Sequence, residues 1–112
     1  MKEKELALKM WENILHKIPE WLKKSRGRYV NVSSAFAERV LRYKARFCKK
    51  HEVIWINDCW LCTRFDENCR RCPLKRCNKG STWYHLLESG YFTEYDKIKQ
   101  CITIIDAIKS VD

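Results

Sequence analysis

Residues 59–77 read CWLCTRFDENCRRCPLKRC and hold five of the seven cysteines in the chain. Their spacing is C-x2-C, then six residues, then C-x2-C, then four residues and a last cysteine. Across residues 59–80 there is almost no hydrophobic periodicity, so burial of apolar side chains cannot order this segment by itself. A bound metal ion can supply the missing folding free energy. The stretch therefore predicts a metal loop in the middle of the chain.

The paired C-x2-C spacing favours zinc as the metal. Two thiolates in one C-x2-C turn converge on a single ion, and two such turns complete the tetrahedral shell of closed structural zinc. The candidate ligands are Cys59, Cys62, Cys69, Cys72 and Cys77. The first four form the preferred set, and the fifth is an alternative to the third or the fourth.

Two other assignments stay open for the metal. His51 and His85 could replace a cysteine, although each is more simply a surface or packing residue. An iron–sulfur cluster could take the place of zinc, although its usual cysteine runs are spaced differently.

Composition predicts a cytoplasmic protein with reduced thiols. The 112 residues are 46% hydrophobic and 33% charged, which is typical of one globular domain. The first residues, Met-Lys-Glu-Lys-Glu-Leu, contain no apolar signal core. No apolar run reaches the roughly 18 residues of a membrane span. Since cytosolic thiols stay reduced, disulfides are not expected, and Cys48 and Cys101 are predicted to be buried thiols in helices.

The N-terminal segment predicts an amphipathic helix. Leu6, Met10, Ile14 and Ile18 recur at nearly helical spacing, with lysine and glutamate on the other face. Pro19 should end this helix, because the residue before a proline avoids helical angles. We expect residues 21–29 to form an exposed basic loop.

A second helix is expected to start at Ser33 or Ser34, because serine caps the orphan amides of a helix well. Its apolar line is predicted to contain Phe36, Val40, Tyr43 and Phe47, widened by Ala37, Leu41 and Cys48. Residues 53–56 then form a short apolar run, either a strand or a buried connector, and Asn57 with Asp58 supplies a turn.

The last helix, residues 93–110, has the clearest sequence pattern. Thr93 followed by Asp96 resembles a capping box. The apolar line is expected to comprise Ile98, Ile102, Ile105 and Ile108, joined by Cys101. The predicted fold is thus mostly α, with three amphipathic helices and a cysteine-rich zinc loop inserted before the last one. We expect a single domain over 1–112, helical over 1–50, with the metal loop at 51–80.

The positive charge of the chain is concentrated in one block. The net charge is +9, and residues 21–50 hold ten lysines and arginines against Glu38 alone. The residues predicted to share one exposed helix face are Arg39, Arg42, Arg46 and Lys49, bordered by Lys44 and Lys50. The upstream part of the block contains Lys23, Lys24, Arg26 and Arg28. Guanidinium groups suit phosphate because they donate in a fixed fork, so this block predicts a polyanionic partner.

These features predict a binding protein rather than an enzyme. The expected partner is nucleic acid, RNA more than DNA, or a nucleoprotein complex, with no membrane and no small-molecule substrate. A closed zinc shell leaves no open position for catalysis, and the chain has no glycine-rich phosphate loop. Trp55, Trp60, Trp83 and Tyr84 flank the metal region and are expected to pack there rather than stack on bases. The alternative is a protein–protein module whose zinc loop presents Trp60, Leu61 and Leu74.

The cysteine core resembles small, uncharacterised proteins encoded by phages. The likeness rests on Cys59-Trp-Leu-Cys62, then Cys69-Arg-Arg-Cys72-Pro-Leu, followed by Cys77. Those proteins also carry an N-terminal helix with tryptophan and a C-terminal amphipathic helix, whereas the basic block is not part of their pattern. The resemblance implies a phage or prophage origin. By analogy with anti-CRISPR proteins, it implies an inhibitor that engages the guide-RNA complex of a host defence nuclease.

Overall fold

The computed structural model describes residues 2–25, 32–55, 58–65, 71–73 and 94–111, and of residues 32–34 only the backbone. Helices contain 82% of the described residues, and no strand occurs among them. The helices are α1 (Glu3–Ser25), α2 (Val32–Lys50), the short α3 (Trp60–Arg64) and α4 (Glu94–Lys109). The mostly α prediction is confirmed, and α3 adds a helix that the sequence did not predict. Within these ranges, no helix has the length and apolar character needed to cross a membrane.

Helix α1 is the element on which the others pack. It contacts α4 and α2 extensively and α3 to a smaller extent. The predicted apolar line is confirmed, since Met10, Ile14 and Ile18 are fully buried and Leu6 is nearly so. Burying a large apolar side chain stabilises a fold by roughly 1.5–3 kcal/mol. The stripe on α1 is therefore a main source of the stability of the bundle.

Pro19 does not end α1, so the prediction of a basic loop over residues 21–25 is wrong. The helix continues to Ser25, and Trp21 and Leu22 are both buried. A proline inside a helix costs about 3 kcal/mol, which is comparable with the roughly 1.5–3 kcal/mol gained by burying each of these two side chains. The Ser25 hydroxyl donates to the Trp21 carbonyl at 2.6 Å and helps to close the last turn. Residues 26–30 lie outside the described ranges.

Helix α2 begins at Val32, within two residues of the predicted start, and buries Phe36, Val40 and Phe47 as expected. Two assignments on this helix are wrong. Leu41 is 45% exposed, and Lys44, expected at the border of the basic face, is 0% exposed. Lys44 follows Val40 by four residues and precedes Phe47 by three, so helical geometry places it on the apolar stripe.

The predicted apolar line of helix α4 is confirmed for Cys101, Ile105 and Ile108, and Ile98 packs partly buried against the core, but Ile104 is buried in place of Ile102. Ile102 is 42% exposed. Glu94 and Asp96 lie in the first turn, where the helix dipole favours negative charge, while Thr93 of the predicted capping box lies outside the described residues. The Cys101 thiol donates to the Trp11 carbonyl of α1 at 3.6 Å.

Hydrogen bonds connect the N-terminal end of α1 to the C-terminal end of α4. The Lys4 ammonium near the start of α1 donates to the carbonyl of Lys109 at 3.4 Å and also to that of Val111. A cation at the C-terminal end of a helix satisfies orphan carbonyls and is favoured by the helix dipole. Lys4 therefore stabilises the final turn of α4 against α1.

The connector after α2 is buried only in part. Residues 53–55 form no strand, and Trp55 is buried with its indole N–H donating to Glu3 Oε1 at 3.1 Å. Ile54, by contrast, is 95% exposed. Asp58 has a φ of 52°, the left-handed conformation that aspartate tolerates in turns, as the Asn-Asp pair predicted. Ile56 and Asn57 lie outside the described ranges.

Candidate metal centre and arginine face

Helix α3 brings Cys59 and Cys62 to one place. Cys59 immediately precedes the helix and is buried, whereas Cys62, one turn later, is half-buried. Trp60 and Leu61 are both buried and fix α3 against the core. The start of the cysteine segment is thus ordered by burial of an adjacent Trp-Leu pair, which is too short to show any periodicity in the sequence.

The two thiols interact directly. A hydrogen bond from the Cys62 thiol lowers the pKa of Cys59 to about 6, helped by the charge of Lys44 and by the backbone amides of Cys62 and Leu61. Burial acts in the opposite direction but does not prevail. Because the thiolate is the form that binds metal, Cys59 is well suited to be a ligand, with Cys62 beside it.

The buried amine of Lys44 lies next to this thiol pair. The Nζ atom of Lys44 lies 5.5 Å from the centroid of the Trp11 ring. Burial lowers the pKa of Lys44, and the charges of Cys59 and Asp58, and then of Cys62, offset this only in part. A zinc ion held by four thiolates carries a net negative charge, which would favour the protonated form of Lys44. The position of Lys44 on the apolar stripe was the sequence signal that could have identified it.

Part of the predicted ligand set lies in the described residues. Cys72 is buried, like Cys59, whereas Cys69 and Cys77 are outside the described ranges. Within those ranges no group of three or more histidine, cysteine, aspartate or glutamate side chains could hold a metal. His51 packs its ring 4.3 Å from that of Phe47, and His85 is not among the described residues. The structure thus pairs Cys59 with Cys62 and leaves the rest of the set a prediction.

The remaining two cysteines are buried helix residues, as predicted. Burial raises the pKa of Cys101 to about 12. Burial, followed by the charge of Asp58, raises the pKa of Cys48 to about 11. Both thiols therefore stay protonated at neutral pH. The described cysteines form no disulfide with one another.

Three arginines of α2 line one open groove of about 240 Å³. Arg39, Arg42 and Arg46 form its cationic side, and Trp21 of α1 and Tyr43 of α2 form its aromatic side. The rings of Trp21 and Tyr43 have centroids 5.7 Å apart and are tilted by 58°. A second depression, lined by Ala35, Glu38, Arg39 and Arg42, continues toward the start of α2. The aromatic side of the groove depends on the continuation of α1 past Pro19, which the sequence did not predict.

The last turns of α1 lie beside this groove. Lys24 pairs with Glu20 at 2.9 Å. The pKa of Glu20 is lowered mainly by the hydrogen bond and charge of Lys24, with a smaller contribution from Arg39 across the helix pair. Lys24 and Arg39 therefore belong to one surface. Arg42 also pairs with Glu38 on its own helix, and exposed pairs of this kind compete little with a phosphate ligand.

The other predicted basic residues extend the surface along both helices. Lys23 is exposed in the last turn of α1, and Lys49 and Lys50 are exposed in the last turn of α2. Arg26 and Arg28 lie outside the described ranges. Arg39, Arg42 and Arg46 together make up the arginine face of α2.

The tryptophans of the metal region pack in the interior. Trp55 and Trp60 are buried, which confirms the packing prediction for these two residues. Trp83 and Tyr84 lie outside the described residues. Because Trp60 and Leu61 are buried, neither is presented on the surface as the protein–protein alternative expected, and Leu74 is not described.

Comparison with known proteins returned no relative. No protein family model, curated protein or solved structure matches the chain. The function is therefore inferred from the arginine face and from the cysteine pair beside Lys44.

Proposed function

We propose that this protein binds nucleic acid, RNA in preference to DNA, either free or within a ribonucleoprotein, through the arginine face of α2. The observation that carries the proposal is the groove in which Arg39, Arg42 and Arg46 all take part. Along a helix, the first and last of these arginines are separated by about 10 Å, so they can reach different phosphates of one strand. Each guanidinium can form two parallel hydrogen bonds with phosphate oxygens.

The charge distribution supports the same conclusion. The block over residues 21–50 has a single acidic residue, Glu38, and it is paired with Arg42. Such a surface concentrates a polyanion and accelerates its association. Contacts with phosphate release counterions, so the affinity should fall steeply with salt concentration.

We further propose that a zinc ion binds at Cys59 and Cys62 and serves to hold the cysteine segment in place. The support is the hydrogen-bonded thiol pair, the lowered pKa of Cys59 and the buried Lys44 beside them. Two of the three cysteines Cys69, Cys72 and Cys77 would supply the remaining two thiolates. Zinc in such a closed shell has no open position, so its role would be structural and the protein would be a binder, not an enzyme.

The resemblance to phage proteins extends the proposal to a biological setting. A guide RNA bound to its nuclease exposes polyanionic surface that the arginine face could engage. On this view the protein inhibits an RNA-guided host defence nuclease. The protein–protein alternative has less support, because two of its three proposed contact residues, Trp60 and Leu61, are buried.

A charge-reversal pair tests the proposal. Arg42→Glu combined with Arg46→Glu should weaken binding to a labelled single-stranded RNA by about tenfold or more, measured by fluorescence anisotropy over a salt series. The matched control, Lys9→Glu combined with Lys99→Glu, makes the same change in net charge at two exposed positions outside the groove. Equal losses in both variants, or no loss in either, would contradict the assignment of the arginine face.

A further inference from the structure

The groove at the arginine face has an aromatic wall as well as a cationic one. Tyr43 lies between Arg42 and Arg46 in the sequence, is half-buried and lines the groove. Its ring packs against Trp21 at 5.7 Å and against Phe47 at 6.3 Å, both between ring centroids. These two neighbours hold the tyrosine ring in a defined orientation beside the guanidinium groups.

The two walls fit different parts of a nucleotide. Guanidinium groups bind phosphate, whereas an aromatic ring offers a stacking surface to a flat base. In a duplex the faces of the bases are covered by their neighbours, so only an unpaired base can stack on a protein side chain. The groove measures about 240 Å³, slightly below the roughly 300–1,000 Å³ of pockets for drug-sized ligands. This size suits one flat group and its flanking phosphates.

We propose that the groove binds single-stranded nucleic acid, with one unpaired base against Tyr43 and the neighbouring phosphates on Arg39, Arg42 and Arg46. The inference rests on the proposed nucleic-acid binding and deepens it by specifying the class of substrate. Trp21 is 9% exposed and packs its ring against that of Tyr43. The protein should therefore prefer a single strand to a duplex of the same sequence.

Phosphate contacts and base stacking can be distinguished by the salt dependence of the affinity. Phosphate contacts set the slope of log affinity against log salt, by about 0.7 per contact for single strands. Stacking of one base contributes roughly 5- to 150-fold in affinity without changing that slope. Tyr43→Leu should therefore lower the affinity for single strands by this factor, leaving the salt slope and the duplex affinity unchanged. Arg42→Gln should weaken binding to both ligands and reduce the slope.

The experiment measures an unstructured single-stranded RNA, the single-stranded DNA of the same sequence and a blunt-ended RNA duplex of two separate strands by fluorescence anisotropy. The wild type and the Tyr43→Leu, Tyr43→Phe and Arg42→Gln variants are compared, and the phenylalanine variant should bind like the wild type because it keeps the ring. An oligonucleotide carrying abasic sites gives a readout that needs no protein variant. Such a strand keeps the phosphates but lacks bases that can stack, so the wild type should bind it roughly 5- to 150-fold more weakly than the intact strand.

The outcomes separate this inference from the proposed function. A wild type that binds the duplex and the abasic strand as tightly as the intact strand would overturn the stacking inference and leave nucleic-acid binding intact. A Tyr43→Leu variant that weakens single-strand and duplex binding equally would also overturn it. Absence of binding to every ligand at low salt would refute the proposed function, and the inference with it.

Discussion

Substitution of two isoleucines on α4 should have very different effects on stability. Ile104 is fully buried where α4 packs against α1, whereas Ile102, two residues earlier, is 42% exposed. The same change, isoleucine to alanine, removes the same atoms at both positions. The pair therefore measures the orientation of α4 with the chemistry of the substitution held constant.

The expected costs follow from the burial of each side chain. Ile104→Ala removes three buried carbon groups, about 2.4 kcal/mol at roughly 0.8 kcal/mol for each. The cavity that remains raises the total to about 3–4 kcal/mol, within the range of about 2–5 kcal/mol seen for such changes. Ile102 is 42% exposed, so Ile102→Ala loses only the buried share of the same ~2.4 kcal/mol, about 1.4 kcal/mol. Alanine regains several tenths of a kcal/mol because its helix propensity is higher, so the net cost of Ile102→Ala is about 1 kcal/mol.

Urea unfolding followed by circular dichroism tests this prediction. Both variants should be measured with saturating zinc and again with a chelator, so that metal binding does not obscure the comparison. The free energy of unfolding should differ between the two variants by about 2–3 kcal/mol. Equal costs would contradict the difference in burial between the two positions, and a larger cost for Ile102→Ala would show that Ile102 faces the core as the sequence predicted.

Two further predictions concern buried titratable groups. Because the folded state holds the pKa of Cys101 near 12 against an ordinary value of 9.0, the unfolded chain binds fewer protons above pH 9 and stability should fall as pH rises from 9 to 12. Cys101→Ala should reduce the slope of the free energy of unfolding against pH by up to about 1.4 kcal/mol per pH unit, measured by urea unfolding. Equal slopes for the variant and the wild type would contradict the raised pKa of Cys101. Lys44→Met should weaken zinc binding by about 10- to 100-fold in a chelator competition, because it removes the amine beside Cys59 and Cys62 that would counter the charge of the bound thiolates. Lys97→Met is the matched control, since Lys97 is also fully buried but lies 5.3 Å from the Phe36 ring, and equal losses in the two variants would refute a specific role for Lys44.

The amphipathic pattern of α1 and the charge pattern of α2 were readable from the sequence. Leu6, Met10, Ile14 and Ile18 form one stripe, and each is buried. Arginines at helical spacing have to share a face wherever the helix packs. These two features depend only on the geometry of a single helix, which explains why they could be predicted.

The errors occurred where a tertiary contact decides the outcome. α4 contains five isoleucines, and Ile104 is buried in the position that the sequence pattern gave to Ile102. Pro19 disfavours helix locally, but burial of Trp21 and Leu22 offsets that cost. The residue type of Lys44 predicts a surface position, whereas its position along the helix places it in the interior.

The third and fourth ligands of the proposed metal site could not be derived from the spacing of the cysteines. Five cysteines compete for four positions in residues 59–77, and the chain between the second and third can close in more than one way. The structure shows how the first pair is held, because Trp60 and Leu61 anchor α3 in the core. The identity of the other ligands depends on residues beyond this anchor.

The packing of α1 against α4 also determines when the protein can become stable during its synthesis. The 68 residues between Ser25 and Glu94 take about 3–14 seconds to translate at roughly 5–20 residues per second. Throughout that interval the α4-facing side of α1 has no native partner, so the nascent chain presents apolar surface to chaperones and proteases. Long-range pairing of this kind also slows folding after release. Cellular yield should therefore respond strongly to translation speed and chaperone supply, even for variants whose folded state is unchanged.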